Sequence, residues 1–309
     1  MNEQEQKSIL TLCLMAAFAD GAKHEGERAE IKRIAEALAS EAAINLPGLY
    51  QDVLLKRISV STAAAALSTP EARQLAFEMA VCVCDADGSQ SAAERDFLET
   101  LRAALGLDAG QAQDFTQQAE AIAAAPIATA SNTHASTMTR EEIDKSIINA
   151  AILNGALELL PESLATMAII PLQMKLVYRI GKSYGFELDR GHIKDFLATA
   201  GVGLTSQYLE QAGRKLLGGL LRSVGGSLLG GLGKQAVSSG MSFASTYALG
   251  HVARHYYSGG RTLTTDMLRT AFNDMLGEAR GLQTRYLPEM QAKARTLDAK
   301  QIISMVQQG

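Results

Sequence analysis

Two short stretches of this chain place carboxylates at a repeated spacing around a glycine. In "ADGAKHEGER" (19–28), Asp20-Gly21 is followed after five residues by Glu27-Arg28, and Glu25 lies between them. In "ADGSQSAAER" (86–95), Asp87-Gly88 is followed after five residues by Glu94-Arg95, with Asp85 just upstream. Oxygen donors alone, without cysteine or histidine among them, suit Ca²⁺, Mg²⁺ or Mn²⁺ better than zinc. A twelve-residue calcium loop is the first arrangement to compare. With Gly88 as the loop glycine, Glu94 takes the bidentate position and Asp85 and Asp87 take two others. The first ligand position is then Val83, and Gln90 stands where an apolar residue belongs. In the first copy those two places hold Ala16 and Lys23, and Phe18 replaces the equivalent of Asp85. Too few oxygens remain for a six- to eight-coordinate calcium ion. Neither copy is a working EF-hand.

The same residues make sense as a helix boundary. A glycine after the aspartate accepts the positive φ that ends one helix. Ser91 then caps the next helix, with Glu94 three residues on completing a capping box. In the first copy His24, a poorer cap, takes the place of Ser91. The elements that would hold both loops are helices. Apolar residues recur at helical spacing through Ile9–Phe18, Ile31–Leu38, Val53–Leu67, Leu75–Val83 and Phe97–Leu105, and Pro47 and Pro70 fall at helix boundaries. Alanine and leucine are abundant, aromatic residues make up only 5% and tryptophan is absent, so the fold class expected is all-α. The first domain reads as two related helix-loop-helix units.

Bulk charge narrows the functions. A formal net charge of −4 gives no support for nucleic-acid binding. Cys13, Cys82 and Cys84 are an odd, sparse set with no disulfide framework, and they read as buried small hydrophobes. The polar, acidic start "MNEQEQKSIL" is unlike a secretory signal, which leads to the expectation of a cytoplasmic protein.

Composition divides the chain near 126–140. "APIATASNTHASTMT" (125–139) is uncharged and without apolar period, and reads as a linker; Thr139 and Glu142 then form the capping box of a new helix. The organisation expected is a domain at 1–125, a linker at 126–140, a second helical domain at 141–285 and a tail at 286–309, with a break at Pro288. Within the second domain, Gly219, Ser223, Ser227 and Gly231 recur every four residues, and Gly226 and Gly230 make a second small pair. On a helix these form a flat stripe for close packing or membrane contact. The uncharged run from Gln235 to Ala253 approaches a spanning length but carries too many polar side chains, so peripheral attachment to the inner membrane, flanked by Arg222 and Lys234, is expected.

Three further motifs fail on inspection. "GKS" at 181–183 has Leu176 where a P-loop needs glycine, and "GLGKQ" at 231–235 has Leu228 there and Gln235 in place of the hydroxyl residue. His251 and His255 share a helix face, but Val252 replaces the glutamate of a zinc-protease motif and no third ligand is evident. An interfacial or core role is expected for both. No nucleophile–base pattern appears, so no catalytic residues and no organic cofactor are expected.

The duplicated "AFADG…ER" and "CDADG…AERDFLETL" pattern resembles the TerB family of tellurite-resistance and stress proteins over about residues 5–120. That resemblance implies a compact helical domain with an acidic face proposed to bind divalent metal. By position its ligands would be Asp20, Glu27, Asp87 and Glu94, with Glu25 and Asp85 as accessories. "MAIIPLQMKLVYRIGKSYGFEL" (167–188) and "STYALGHVARHYYSGGRTL" (245–263) resemble the GTPase-associated domain of unknown function of YcjF-type inner-membrane proteins. This implies a helical module working beside membranes or GTPase domains, without GTP hydrolysis of its own. The expectation is a non-enzymatic stress-response or scaffold protein at the inner-membrane surface. The alternatives are a regulatory partner of a GTPase, or a homo-oligomer assembled through the glycine stripe.

Overall fold

The computed structural model describes residues 1–21, 31, 32, 36, 45–127, 138–217 and 241–308. Among these residues there are thirteen α-helices and no strand, as the composition requires. The glycine stripe at Gly219–Gly231, Glu25 and Glu27, and most of the 126–140 linker lie outside the described residues. The chain divides into two compact units.

The first unit holds α1 (Glu3–Ala17), α2 (Leu46–Leu54), α3 (Val60–Ala65), α4 (Pro70–Cys84), α5 (Ala92–Leu105) and α6 (Ala109–Ala123). Helix α1 buries Ile9, Leu12, Cys13 and Ala16, and packs on α4, which buries Ala76, Phe77, Ala80 and Val81. Pro70 sits at the start of α4 and Pro47 at the start of α2, where a missing N–H costs nothing. The continuous period expected over Val53–Leu67 is instead two helices. Lys56 adopts φ 52° and Ser59 caps α3, so local turn chemistry overrides the apolar spacing.

One further helix joins this unit from the far half of the sequence. Helix α10 (Leu204–Leu217) packs on α1 and α4, and the amide of buried Gln6 donates to the Leu216 carbonyl at 2.9 Å. That bond satisfies one of the orphan carbonyls at a helix C-terminus. The units are therefore discontinuous in sequence, whereas composition alone put residues 141–285 together.

The second unit holds α7 (Arg140–Glu158), α8 (Ser163–Ser183), α9 (Arg190–Thr199), α11 (Met241–Ser258), α12 (Thr265–Ala294) and α13 (Ala299–Gln308). Helix α11 is its centre, packed against α7, α8 and α12. Gly250 lets it approach α7 closely, since a Cβ there would lie 2.7 Å from Ile147 Cγ1. The expected break at Pro288 does not occur; α12 runs through it. Phe243, Tyr286, Leu287 and Met290 pack together around that turn, and this burial offsets the one backbone hydrogen bond proline removes. The same holds for Pro171 inside α8, which is buried on nearly every side.

A polar seam crosses this apolar core. Thr246 Oγ1 accepts from the Asn154 amide at 2.9 Å and from the Gln173 amide at 3.1 Å, and Gln173 also donates to Ser245 at 3.2 Å. Nearby, buried Glu158 accepts from the Ser242 backbone N–H at 2.7 Å, placing a carboxylate at the N-terminus of α11. Carboxylates are stabilised there by the helix dipole and its unused N–H groups.

Candidate functional site

The second acidic loop joins α4 to α5. Helix α4 ends at Cys84, a single 3₁₀ turn carries Asp85–Asp87, and Gly88 follows with φ 91°. The Asp87 carboxylate accepts from the Ser89 N–H at 3.0 Å, closing the turn on itself. Ser91 caps α5: its hydroxyl accepts from the Glu94 N–H at 3.2 Å, and the Glu94 carboxylate accepts from the Ser91 N–H at 2.8 Å. The capping box read from the sequence is present, and so is the one at Thr139 and Glu142. In the first copy, α1 ends at Ala17 with Phe18 as its C-cap, Asp20 is half-buried in the turn and Gly21 takes φ 67°.

Asp85, an accessory in the sequence reading, is the unusual member. It is 1% exposed, and neither carboxylate oxygen has a hydrogen-bond partner among the described residues. Burial pushes its carboxyl up to about 7, with Glu120, Glu94 and Asp87 adding to the rise and the Gln90 side chain offsetting part of it. The equivalent position in the first copy is Phe18, whose ring packs edge-on to Tyr50 at 5.8 Å. The matching position in the sequence thus holds a half-buried aromatic ring in the first stretch and a fully buried carboxyl group in the second. Helices α4, α6 and α10 all pack against the turn that carries it.

Oxygen-only donors and the partnerless oxygens of Asp85 fit a hard cation in chemistry. They do not make a chelate: among the described residues no three His, Cys, Asp or Glu side chains stand close enough to hold a metal. The cysteines add nothing nucleophilic. Burial pushes the Cys13 thiol up to about 12 and the Cys82 thiol well above its usual range, so both stay protonated. The rejected "GKS" motif is the end of α8, not a loop before a helix. Lys182 pairs with Glu187 at 2.7 Å, and the Ser183 hydroxyl donates to the Ile180 carbonyl.

The second unit carries a groove of about 550 Å³ beside α11 and α12. His251 and His255, four residues apart, both line it. His251 is half-buried against the Tyr247 ring, 4.3 Å between centroids, and Tyr247 donates to Glu278 at 3.4 Å. Burial, reinforced by Arg254, lowers the His251 pKa and keeps its imidazole neutral near pH 7. The histidine pair was visible in the sequence as one helix face. Arg140 and Asp274, which share the groove, come from other elements and carried no local signal.

The comparisons with known proteins bear on one unit. Residues 1–119 match the model of a family described as "Protein of unknown function (DUF533)", and that family is TerB-like. The match spans α1 to most of α6. No curated protein and no solved structure matches the chain. Among the described residues no helix is long and apolar enough to cross a membrane.

Proposed function

We propose that the chain is a non-enzymatic scaffold of the stress-response kind, whose TerB-like unit responds to divalent cations at its acidic loops and whose second half attaches to the inner-membrane surface. The observation that carries the cation reading is Asp85, a buried carboxylate with both oxygens unpartnered beside Asp87 and Glu94. Asp87 and Glu94 each commit an oxygen to the local backbone, so a cation there draws most of its coordination from water. Magnesium tolerates that arrangement best, and binding is weak. Asp20 supplies the matching group in the first loop, with Glu25 and Glu27 following in sequence.

Melting the full chain with Mg²⁺, Mn²⁺ or Ca²⁺ tests this, because a ligand selective for the folded state raises the melting temperature. The expected result is a rise in the wild type that shrinks in Asp85→Asn and in Asp87→Asn. If wild type and Asp87→Asn respond identically, the loops are turns and nothing more. The membrane part rests on the small-residue stripe at Gly219–Gly231 and on the neighbouring Arg222 and Lys234. Flotation with liposomes, before and after Gly226 and Gly230 are replaced by leucine, measures it.

A second reading makes the protein a regulatory partner of a GTPase. It is favoured by one observation: the two blocks resembling the YcjF-type domain fall largely on α8 and α11, which pack together and share the Gln173–Ser245 hydrogen bond. Co-purification of a GTPase with the full chain favours this reading, while concentration-dependent self-assembly alone favours a structural oligomer.

A further inference from the structure

We propose that the α11/α12 groove of the second unit binds the phosphate group of a small, partly apolar phosphate ester. At about 550 Å³ the groove is of small-molecule size, and unlike the loop at Asp85–Glu94 it is ready-made space, not a turn closed on itself. Its floor is apolar: Val252 is 1% exposed and Met275 faces it from α12.

The charged lining is asymmetric. Arg254 is held by an ion pair with Asp144, which fixes its guanidinium and neutralises that carboxylate. A guanidinium has five N–H donors, so one carboxylate contact leaves donors for a second oxyanion. Arg140 is the first residue of α7, and neither an ion pair nor a side-chain hydrogen bond engages it among the described residues. His255 is exposed on the same wall, one turn beyond His251. Arg140 shares the first turn of α7 with Glu141 and Glu142, but among the described residues no ion pair holds its guanidinium, whereas Arg254 is held by Asp144.

Asp274 on α12 is the one carboxylate of the lining. It opposes a bare inorganic anion and favours a ligand that brings a hydroxyl or amine donor along with its phosphate. An alcohol-bearing phosphate ester meets both requirements: oxyanion toward Arg140 and Arg254, hydroxyl toward Asp274, carbon skeleton over Val252 and Met275. Such an ester exists as a free metabolite and as a phospholipid headgroup, and the recognition chemistry is the same for both.

The test uses the full chain with histidine side chains labelled for NMR, titrated with glycerol 3-phosphate and, as a control, glycerol. Saturable shifts of the His251 and His255 resonances with the phosphate, absent with glycerol, are expected. Arg140→Gln, an exposed substitution that leaves the core alone, is expected to weaken binding about tenfold, the loss of one charge-assisted hydrogen bond. Vesicles of phosphatidylglycerol and of phosphatidylcholine separate the sources. Vesicle binding that needs phosphatidylglycerol and falls in Arg140→Gln assigns the lipid headgroup; glycerol 3-phosphate binding without it assigns the free ester. The proposal is overturned if neither histidine resonance moves with glycerol 3-phosphate, or if wild type and Arg140→Gln bind it equally. Neither result touches the cation response of the first unit, which is read by melting with metal ions.

Discussion

In the second unit Thr246 accepts from both Asn154 and Gln173, and Glu158 sits at the N-terminus of α11. Most polar groups brought into that core thus find at least one partner on another helix, while Asn154 Oδ1 has no hydrogen-bond partner among the described residues. In the first unit Asp85 is buried as deeply and its oxygens have no partner at hydrogen-bond distance among the described residues, the nearby Gln90 side chain offsetting only part of the cost. Both arrangements cost desolvation, but the first recovers more of it through hydrogen bonds. A hydrogen-bonded seam fixes which helices meet and in what register. An unsatisfied carboxyl destabilises the fold whenever it is charged, and anything positive that reaches it stabilises the fold. The contrast is between a core whose polar groups are mostly paired across helices and a turn whose buried carboxyl group is not.

The largest expected effect follows from that charge. The folded-state pKa of Asp85 is raised from 3.8 to about 7, so the folded protein holds the proton more tightly than the unfolded chain does. Its contribution is fully favourable below about pH 4, is lost as pH rises toward 7, and is constant above. The whole change is worth about 4 kcal/mol. Urea denaturation of the full chain across pH 4–8 should show stability falling through that window, and Asp85→Asn should flatten the curve and be the more stable protein at pH 8. An unchanged slope in the variant assigns the pH dependence to other groups.

Thr246→Val breaks the other side of the comparison. The substitution is nearly isosteric but leaves the Asn154 amide without its closest acceptor and takes one from Gln173, both of them buried. A loss of about 2 kcal/mol at all pH values is expected, from the unpaired donors and not from a cavity. The mark that distinguishes it from Asp85→Asn is the parallel shift: the pH profile drops without changing shape.

What the sequence revealed of these features depended on range. The capping boxes at Ser91/Glu94 and Thr139/Glu142, the helix starts at Pro47 and Pro70 and the positive φ of Gly88 are local, and each was legible from spacing alone. The burial of Asp85 was not, because a carboxylate in an acidic loop reads as exposed. One hint existed: the equivalent place in the first copy holds Phe18, an apolar ring that packs half-buried on Tyr50. The membership of α10 in the first unit depends on contacts such as Gln6 with Leu216, more than two hundred residues apart, which no periodicity encodes. The run of α12 through Pro288 is a tertiary override, where ring packing around Tyr286 and Phe243 outweighs the loss of one backbone bond. The groove draws Arg140, Tyr184, His251 and Asp274 from four elements, and only its histidine pair had a spacing to read.

The smallest expected effect divides the two roles of Glu94. Its carboxylate completes the capping box on Ser91, and its charge is one of those that raise the Asp85 pKa. Ser91→Ala removes the cap hydroxyl and should cost about 1 kcal/mol, while leaving the pH midpoint in place. Glu94→Gln does the reverse, since glutamine also serves at the third position of a capping box. Stability at low pH should barely change, and the midpoint of the Asp85-dependent transition should move down, because one negative neighbour is gone. Urea titrations of both variants over the same pH range measure the two quantities separately. If Glu94→Gln lowers stability as much as Ser91→Ala and leaves the midpoint where it was, Glu94 acts on the fold alone, and the first unit's acidic loop loses the electrostatic coupling that sets it apart from the polar seam of the second.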